Sequence, residues 1–146
     1  MDKALDPDAI SPEDMACIHT AAFTQSRPWS VAEFADLLNS PLIFAVGDSR
    51  GFALVRVIAD EAELLTIATD PLHQRQGLGR IIMGAWQDQA RARGAEDAFL
   101  EVAADNTPAQ ALYLSDGFAS CGRRTGYYSR KTAPSVDAIV MRKALR

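Results

Sequence analysis

The 146-residue sequence predicts a mixed α/β (α+β) fold, in which helices cover both faces of a central mixed sheet. The first observation is that apolar residues recur at three- and four-residue steps between Leu78 and Ala90, which indicates one long amphipathic helix. The second is a series of three short apolar segments before that helix, which indicates an antiparallel meander. The third is the segment 97–104 after it, which is almost entirely apolar and typical of a strand covered on both faces.

The first half of the chain supplies two helices and the meander. Residues 1–10 are predicted to form a short first strand. Ser11, followed by Pro12 and two acidic residues, marks the start of a helix that runs to about Phe23. Ser30 and Glu33 form a capping box that opens a second helix to about Leu38. The three strands of the meander are then predicted at 42–46, 52–59 and 63–69.

The second half begins with the long helix, for which Gly94 is a plausible terminating residue. A strand follows at 97–104. Thr107 to Gln110 repeats the capping-box pattern and starts a helix that Gly117 closes. The final strands are predicted at 118–123 and 136–142, with a polar loop over 124–135 between them.

Composition limits the classes of function. The net charge of −4 argues against a general nucleic-acid binder, but a mildly acidic protein suits a cationic acceptor. No apolar run approaches the roughly 20 residues that a membrane span needs, and the acidic N-terminus lacks the apolar core of a signal peptide. Cys17 and Cys121 are expected as buried or free thiols in a reducing cytosol, and His19 and His73 are isolated. We therefore expect one cytoplasmic domain over residues 1–146, without a metal site.

A glycine-bearing turn, Gln74-Arg75-Gln76-Gly77-Leu78-Gly79, joins the third strand to the long helix. Gly77 and Gly79 have no Cβ, so a ligand can approach the backbone closely. The free N–H groups and the dipole of the helix favour an anion there, and a pyrophosphate group is the expected ligand. Ile82 replaces the third glycine of a dinucleotide fingerprint, and no Gly-Lys-Ser/Thr follows, so both of those nucleotide motifs are excluded. A purely structural turn is the alternative.

Three polar residues near the fourth strand are candidates for chemistry. Glu101 is the only charged residue between Ala98 and Ala104, and a carboxylate in an apolar strand is costly unless it is paired or functional. Burial raises the pKa of a carboxyl group toward neutrality, which would make a useful base; an edge-strand Glu facing water is the alternative. By residue type alone, Asn106 predicts an Asx turn or helix cap, and Tyr113 predicts a core aromatic with its hydroxyl at the rim.

The Gln-x-x-Gly-x-Gly turn between a strand and a helix resembles the acyl-CoA signature of the GNAT superfamily of N-acetyltransferases. Within that superfamily, the chain is similar to the bacterial ribosomal-protein-alanine N-acetyltransferases, the RimI group, in the segments IATDPLHQRQGLGR, LEVAADN, ALYLSDGF, YY and DAIVM. The resemblance covers nearly the whole chain and is weakest in the first ten residues. It implies the GNAT fold, a central mixed, mostly antiparallel sheet of about six to seven strands flanked by about four helices.

The resemblance implies acetyl-CoA as the co-substrate. The family's cofactor-binding positions correspond here to Ile67, Ala68, Thr69, Arg75, Gln76, Gly77, Leu78, Gly79, Arg80 and Asn106. The pantetheine arm is expected to run along 67–69 like an added strand and to contact Asn106, while the turn binds the pyrophosphate. A plain core strand is the alternative at 67–69. Thr66, Thr69 and Ala103 depart from the family, which commonly carries Asn, an apolar residue and Arg there.

The resemblance also implies catalytic roles. Glu101 would act as general base, directly or through water, and Tyr113 would protonate the departing CoA thiolate. Trp29 and Tyr128, with Tyr127, would line the groove for the acceptor peptide, with ordinary ring packing as the alternative. Asp137 is either structural or meets a cationic acceptor. Cys121 has no His motif nearby, which disfavours an acetyl-cysteine route.

These expectations describe an acetyl-CoA-dependent N-acetyltransferase of a protein N-terminal α-amine. By resemblance alone, the acceptor is the N-terminal Ala of a small-subunit ribosomal protein, acetylated by direct transfer in a ternary complex. The expected partners are acetyl-CoA and a protein or peptide N-terminus, with no direct nucleic-acid binding and no membrane. The alternatives are an acetyltransferase of a small-molecule amine or Lys side chain, and a non-catalytic acyl-CoA-binding module.

Overall fold

The computed structural model of the protein describes residue 5 and residues 10–23 and 27–146. The elements in this part of the chain are α1 (Pro12–Ala22), α2 (Val31–Leu38), β1 (Ile43–Asp48), β2 (Gly51–Ile58), β3 (Glu61–Thr69), a one-turn 3-10 helix (Pro71–His73), α3 (Leu78–Ala92), β4 (Asp97–Ala103), α4 (Thr107–Ser115), β5 (Ala119–Tyr128) and β6 (Val136–Ala144). The six strands form one sheet in the order β1-β2-β3-β4-β6-β5. Only β3 and β4 pair in parallel. The predicted mixed, mostly antiparallel sheet with four helices is therefore confirmed.

The first two helices begin where the sequence predicts. The Ser11 hydroxyl accepts a hydrogen bond from the Asp14 amide at 3.1 Å. Ser30 and Glu33 form the predicted capping box, since each side chain accepts from the other's backbone amide at 3.2 and 3.1 Å. Such caps satisfy amide groups that the helix itself leaves free. The predicted strand at 1–10 falls outside the described residues except for Leu5 and Ile10, and neither of these is in a strand.

The helix α4 begins at Thr107, as predicted, but the predicted capping box on Thr107 was wrong. The cap is Asn106 rather than Thr107, because the Asn106 side chain accepts a hydrogen bond from the Ala109 amide at 3.2 Å. Thr107 is already the first helical residue. Asn ranks above Thr as an N-cap, so the local chemistry favours the observed arrangement.

The predicted loop at 124–135 was also wrong, because β5 continues to Tyr128 and the connection to β6 covers only 129–135. Nearly every residue of β5 is exposed. It lies at the edge of the sheet, where a strand needs no alternating apolar pattern, and its polar sequence therefore hid it. The register shifts around Cys121, which is exposed and free, as is Cys17.

Two apolar cores lie on the two faces of the sheet. On one face, α3 buries the side chains of its predicted stripe, with Trp86 and Ile82 fully buried. On the other face, α1 and α2 pack Met15 and Phe34 against the sheet. Gln87, predicted to lie off the apolar stripe of α3, is instead buried, and it bonds to both Asp116 and Lys143. None of the helices within the described ranges is long and apolar enough to cross a membrane.

The middle of the sheet opens between β3 and β4. Leu54 pairs with Thr66 while Val55 pairs with Leu64, so Leu65 is the extra residue of a β-bulge in β3. The parallel pairing of β3 with β4 ends just before this bulge, at Glu63 and Phe99. Beyond that point β3 continues to Thr69 and β4 to Ala103 without pairing to each other. The two strands therefore leave a cleft between their carboxyl ends.

Candidate active site

The N-terminus of α3 lies at this open end of the sheet. Gly77 is its N-cap and adopts a left-handed conformation, with φ of 79°, which favours glycine. No side chain caps the helix, so the first amide groups of α3 have no side-chain partner. A 15-residue helix with an uncapped N-terminus is a site for an anion, because its free N–H groups and its dipole both favour negative charge.

The residues around this helix start leave the backbone accessible. Arg75 and Arg80 are exposed, and Gln76 is half-buried. A Cβ placed on Gly79 would meet only the Leu112 side chain, at an ordinary 3.5 Å. Packing within the protein therefore does not require glycine at this position, which supports the approach of a ligand. The Leu78 side chain is buried in the core, so only its backbone amide is available to a cofactor.

At the end of β3, the backbone of residues 67–69, rather than their side chains, is available to a ligand. Ile67 packs toward the core beneath α3, and Ala68 belongs to the core beneath α1 and α2. The backbone of 67–69 pairs with β2 on one side. On the other side it faces the cleft, where the side-chain amide of Gln74 reaches the Thr69 carbonyl at 3.4 Å. The side chains of Ile67 and Ala68 therefore pack in the cores, while the backbone of this segment can form hydrogen bonds with a ligand.

Glu101 is not the isolated buried carboxylate that the sequence led us to expect. Its side chain is 22% exposed, and its Oε1 lies 2.9 Å from Nε of Arg124 on β5. The structure matches neither a buried, unpaired carboxylate nor an edge-strand Glu that faces water, because Glu101 lies on an inner strand and is paired with a cation. A carboxylate removed from water is costly unless it is paired, and the ion pair with Arg124 offsets that cost.

Tyr113, on α4, is buried in the core near Phe118, and Tyr128 is the last residue of β5. Burial raises the pKa of Tyr113 well above the ordinary value, with a further contribution from Tyr128. Burial, and then the Glu101 carboxylate, raise the pKa of Tyr128 to about 12. Tyr128 therefore lies within electrostatic reach of both Glu101 and Tyr113. Both phenols keep their protons at neutral pH, which a proton donor requires.

The end of β4 carries a second ion pair. Arg130, from the β5–β6 connection, places Nη2 2.8 Å from the Asp105 carboxylate, and this bond lowers the pKa of Asp105. The Arg130 side chain is only 8% exposed and lies over the Tyr128 ring at 5.8 Å. Its buried Nε has no hydrogen-bond partner among the described residues. Asn106 follows Asp105 and caps α4, so the predicted contact with pantetheine would use its remaining amide N–H groups.

The predicted acceptor residue Trp29 packs into the α1–α2 core. Its backbone amide donates to Nδ1 of the buried His19 at 3.0 Å, and its ring stacks on the same imidazole at 5.2 Å. Burial lowers the pKa of His19 to about 4, so the imidazole is neutral and can accept this bond. Trp29 remains partly exposed, so packing and a role in the groove are compatible.

Asp137 has a structural role in this fold. Its carboxylate accepts from the Gly126 amide at 2.8 Å and pairs with Nε of Arg123 at 2.5 Å. These contacts, the backbone bond first, lower the pKa of Asp137. They fix the irregular stretch of β5 before Tyr128, where the register to β6 shifts. Tyr127, next to it, is half exposed and packs edge-on against Tyr128.

A groove of about 480 Å³ lies on the face of the sheet that carries Glu101. Glu101 and Arg124 line one part of it, and the turn between β2 and β3 lines another. The wall combines the apolar Phe99 and Val140 with several charged side chains. A substrate could therefore reach Glu101 from this face, while the N-terminus of α3 lies at the end of the cleft. Within the described ranges, no three His, Cys, Asp or Glu side chains are grouped as a metal site.

The sequence pattern of the acetyltransferase (GNAT) family matches residues 13–118. The chain belongs to this family. It is 40% identical over 131 residues to the ribosomal protein bS18-alanine N-acetyltransferase of Escherichia coli K12, which covers 86% of this chain and 87% of that protein. It is 37% identical over 130 residues to the N-alpha-acetyltransferase RimI of Mycobacterium tuberculosis, covering 83% of this chain and 78% of the relative.

Solved structures of the GNAT family agree with this assignment. The crystal structure of the ribosomal-protein-S18-alanine N-acetyltransferase from Escherichia coli superposes with a TM-score of 0.82 and 35% identity, over 92% of this chain and 87% of that chain. Nourseothricin acetyltransferase superposes with a TM-score of 0.62 and 32% identity, over 68% of this chain and 60% of that one. The protein is thus an N-acetyltransferase of the GNAT family.

Members of the GNAT family take the acetyl group from acetyl-CoA, and the described residues fit that molecule. The uncapped N-terminus of α3 suits its pyrophosphate, and the free backbone edge at 67–69 suits its pantetheine amides. At the end of β4, Arg130 brings a guanidinium beside the cleft through its pair with Asp105.

Sequence reasoning missed three residues that contact candidate site residues. Arg124 and Arg130 fell within the predicted loop at 124–135, and nothing local to them indicates their carboxylate partners, Glu101 and Asp105. His19 was noted only as isolated. Its spacing from Met15 and Phe23, both apolar, places it on the buried face of α1 and was the available signal.

Proposed function

We propose that this protein acetylates the N-terminal α-amine of a protein, with Glu101 as general base and Tyr113 as general acid. Two observations support the proposal: β3 and β4 separate toward their carboxyl ends, and Tyr128 interacts electrostatically with both Glu101 and Tyr113. A non-catalytic acyl-CoA-binding module has no use for this juxtaposition.

In the proposed reaction, Glu101 and Tyr113 have separate roles in proton transfer. Acetyl-CoA supplies the acetyl group as a thioester. Glu101, directly or through a water molecule, takes the proton of the acceptor ammonium, which frees the nitrogen lone pair to form the new C–N bond. Tyr113 gives its phenolic proton to the sulfur as the C–S bond breaks, and the second proton that the acceptor nitrogen loses on becoming an amide restores the phenol. The α3 N-terminus, with Arg75 and Arg80, holds the pyrophosphate, and Asn106 holds the pantetheine arm.

For the acceptor we propose the N-terminal Ala of a small-subunit ribosomal protein, acetylated in the cytoplasm by direct transfer in a ternary complex. Two relatives support this choice, the ribosomal protein bS18-alanine N-acetyltransferase of Escherichia coli and the N-alpha-acetyltransferase RimI of Mycobacterium tuberculosis. The groove of about 480 Å³ on the Glu101 face gives a peptide N-terminus access to that residue. Trp29 and Tyr128 are proposed as further aromatic contacts of the acceptor on the family resemblance. The likeness to nourseothricin acetyltransferase favours one second candidate, a small-molecule amine.

An acceptor panel separates the two candidates. The panel contains an Ala-start peptide, the same peptide blocked at its N-terminus but carrying Lys, and free small amines. We expect CoA release with the first peptide only, and fragment mass spectra that place the acetyl group on residue 1. Equal or faster turnover of the free amines would instead establish the small-molecule enzyme.

Two substitutions test the catalytic roles. Glu101→Gln should lower kcat by roughly 100-fold, and most at low pH, because there the acceptor is protonated and depends on the base. Tyr113→Phe should lower kcat while calorimetry finds nearly unchanged affinity for CoA. Asp97→Asn, on the same strand and paired with Arg142, is the matched control and should keep the wild-type rate. If both active-site variants match wild type, the assigned roles are wrong.

A further inference from the structure

We infer that Arg130 is a positioning residue for the acceptor: its ion pair with Asp105 ties the connection between β5 and β6 (residues 129–135) to the end of β4 and thereby holds the Tyr128 ring in place. The inference rests on the acceptor role proposed for Tyr128 and deepens it. None of the sequence segments that carry the family resemblance includes Arg130. Loss of the ion pair should weaken binding of the acceptor and leave binding of CoA unchanged.

Among the described residues 129–135, Arg130 is the one whose side chain is buried. Ser129 and residues 131–135 are exposed, whereas the Arg130 side chain is only 8% exposed. Its Nη2 donates to Oδ1 of Asp105 at 2.8 Å, and its Nη1 donates to the Ser129 carbonyl at 3.2 Å. Hydrogen bonds between a guanidinium and a carboxylate are among the strongest that side chains form. Arg130 therefore joins the connection to the body of the protein.

The backbone of the connection contributes little to holding it. Tyr128 and Val136 pair with each other, so β5 and β6 anchor its two ends. Within the described ranges, no backbone hydrogen bond outside the β5–β6 ladder involves residues 129–135. The position of the connection between its two ends therefore depends on the contacts of the Arg130 side chain.

The turn that carries Asp105 is held independently of this ion pair. The Asn106 amide donates to the Ala103 carbonyl at 2.9 Å. The side-chain amide of Gln110 donates to the Ala103 and Ala104 carbonyls at 3.1 and 3.0 Å. Loss of the ion pair should therefore release the connection and leave the turn in place. The pantetheine contact proposed for Asn106 should persist.

The Tyr128 ring links the ion pair to the proposed active site. The Arg130 guanidinium lies over this ring at 5.8 Å, a distance at which a cation is attracted to an aromatic face. The phenol of Tyr128 interacts electrostatically with the Glu101 carboxylate. Movement of Arg130 would therefore remove a contact that orients the ring near the proposed base.

Packing alone does not explain an arginine at this position. The Arg130 Nε is buried and has no hydrogen-bond partner among the described residues. A buried donor without a partner is unfavourable, whereas an apolar side chain of similar volume would carry no such cost. The ion pair with Asp105 does explain the choice of arginine. Arg130→Met should accordingly fold with nearly the stability of wild type.

The test measures kcat and KM for an Ala-start peptide at saturating acetyl-CoA, together with CoA affinity by calorimetry. Arg130→Met should raise KM for the peptide by about tenfold and change kcat by less than about twofold, because binding is lost and the chemistry is not. Its CoA affinity should equal that of wild type. Arg130→Lys keeps a cation and should give an intermediate KM. Arg142→Met, which removes the partner of Asp97 at the opposite end of β4, is the matched control and should behave as wild type.

A second variant breaks the same ion pair from its exposed side. Asp105→Ala should raise KM for the peptide as much as Arg130→Met does. The double variant should show no further increase, because the same interaction is lost in all three. If Arg130→Met fails to fold, by circular dichroism, Asp105→Ala decides alone, and an unchanged KM in that variant overturns the inference.

Limited proteolysis reports directly whether the connection is held. Trypsin cleaves after Lys131, which is exposed in the connection. Asp105→Ala keeps every tryptic site of wild type, and mass spectrometry should show faster cleavage of the Lys131–Thr132 bond because the connection opens more readily. Asp97→Ala, which also keeps every tryptic site, should be cleaved at the wild-type rate. Equal cleavage in all three proteins would contradict the inference.

The outcomes separate this inference from the proposed function. A wild-type enzyme that does not acetylate the peptide would refute the proposed function and this inference with it. A raised KM in Tyr128→Ala, together with an unchanged KM in Arg130→Met and Asp105→Ala, would refute the inference and leave the function intact. Weaker CoA binding in Asp105→Ala with an unchanged KM for the peptide would assign the ion pair to the cofactor, which also overturns the inference.

Discussion

Asn106 carries two kinds of hydrogen-bonding atom, and the fold uses one of them. Its side-chain oxygen accepts the Ala109 amide and caps α4. The amide nitrogen keeps two donors. The structural role that the residue type indicates and the pantetheine contact that the family resemblance implies therefore do not exclude each other, because they use different atoms of one side chain.

Glu101 was singled out for a feature that holds along its own strand but not across the sheet. Its isolation among apolar neighbours drew attention to it, and that isolation is real along β4. Across the sheet, however, Arg124 supplies a partner from a strand that the sequence pattern hid. A residue's environment in a sheet is set by register to other strands, which the local sequence does not encode.

Arg130 presents the same problem at the other end of β4. Ala103 is the last residue of β4, and that strand carries no guanidinium at this end. Arg130 supplies one from the β5–β6 connection, where it pairs with Asp105 and lies over the Tyr128 ring. Inspection of β4 alone would therefore miss this charge.

The start of α3 is the element on which the proposed cofactor binding depends. Arg75, two residues before the N-cap, has φ of 63°, a left-handed conformation that costs a non-glycine residue about 1 kcal/mol. Its side chain is exposed, so no packing contact explains the strain. A cation placed beside a phosphate at the helix N-terminus does explain why an arginine occupies the position.

Two substitutions at Arg75 separate its charge from its backbone. Arg75→Ala and Arg75→Gly should both weaken CoA binding severalfold, measured by calorimetry, because both lose the cation. Arg75→Gly should melt at a higher temperature than Arg75→Ala, since glycine adopts the left-handed conformation without strain. Arg93→Ala, at the opposite end of α3, is the charge-matched control and should bind CoA as wild type does. Unchanged CoA affinity in Arg75→Ala would remove this residue from the site.

The elements differ in how far the sequence determines them. The long helix, the capped helices and the inner strands are predictable, because a buried stripe or a Ser cap leaves a periodic or local signal. β5 leaves none, since it is an exposed edge strand held by β6 and by charge pairs such as Arg123–Asp137. The cleft could likewise not be predicted from the sequence, because it depends on the bulge at Leu65 and on where the pairing of β3 with β4 ends.

At the scale of the whole molecule, the stability of one of the two cores is linked to pH through His19. This imidazole is 4% exposed, stacks on Phe23 at 4.2 Å and accepts the Trp29 amide. Its pKa is about 4 in the folded protein, lowered first by burial, against an ordinary 6.5. The unfolded chain therefore binds a proton as the pH falls below 6.5, and the folded chain does not until about pH 4.

Because the unfolded state binds the proton first, acid should favour unfolding. Between pH 7.5 and 5, the His19 linkage should lower the free energy of unfolding by about 2 kcal/mol. Urea unfolding at the two pH values measures this. His19→Gln keeps an acceptor for the Trp29 amide but cannot titrate, so it should lose about 2 kcal/mol less on acidification than wild type. His73→Gln, which leaves His19 in place, should behave as wild type. Equal pH sensitivity in all three proteins would show that His19 does not couple this core to pH.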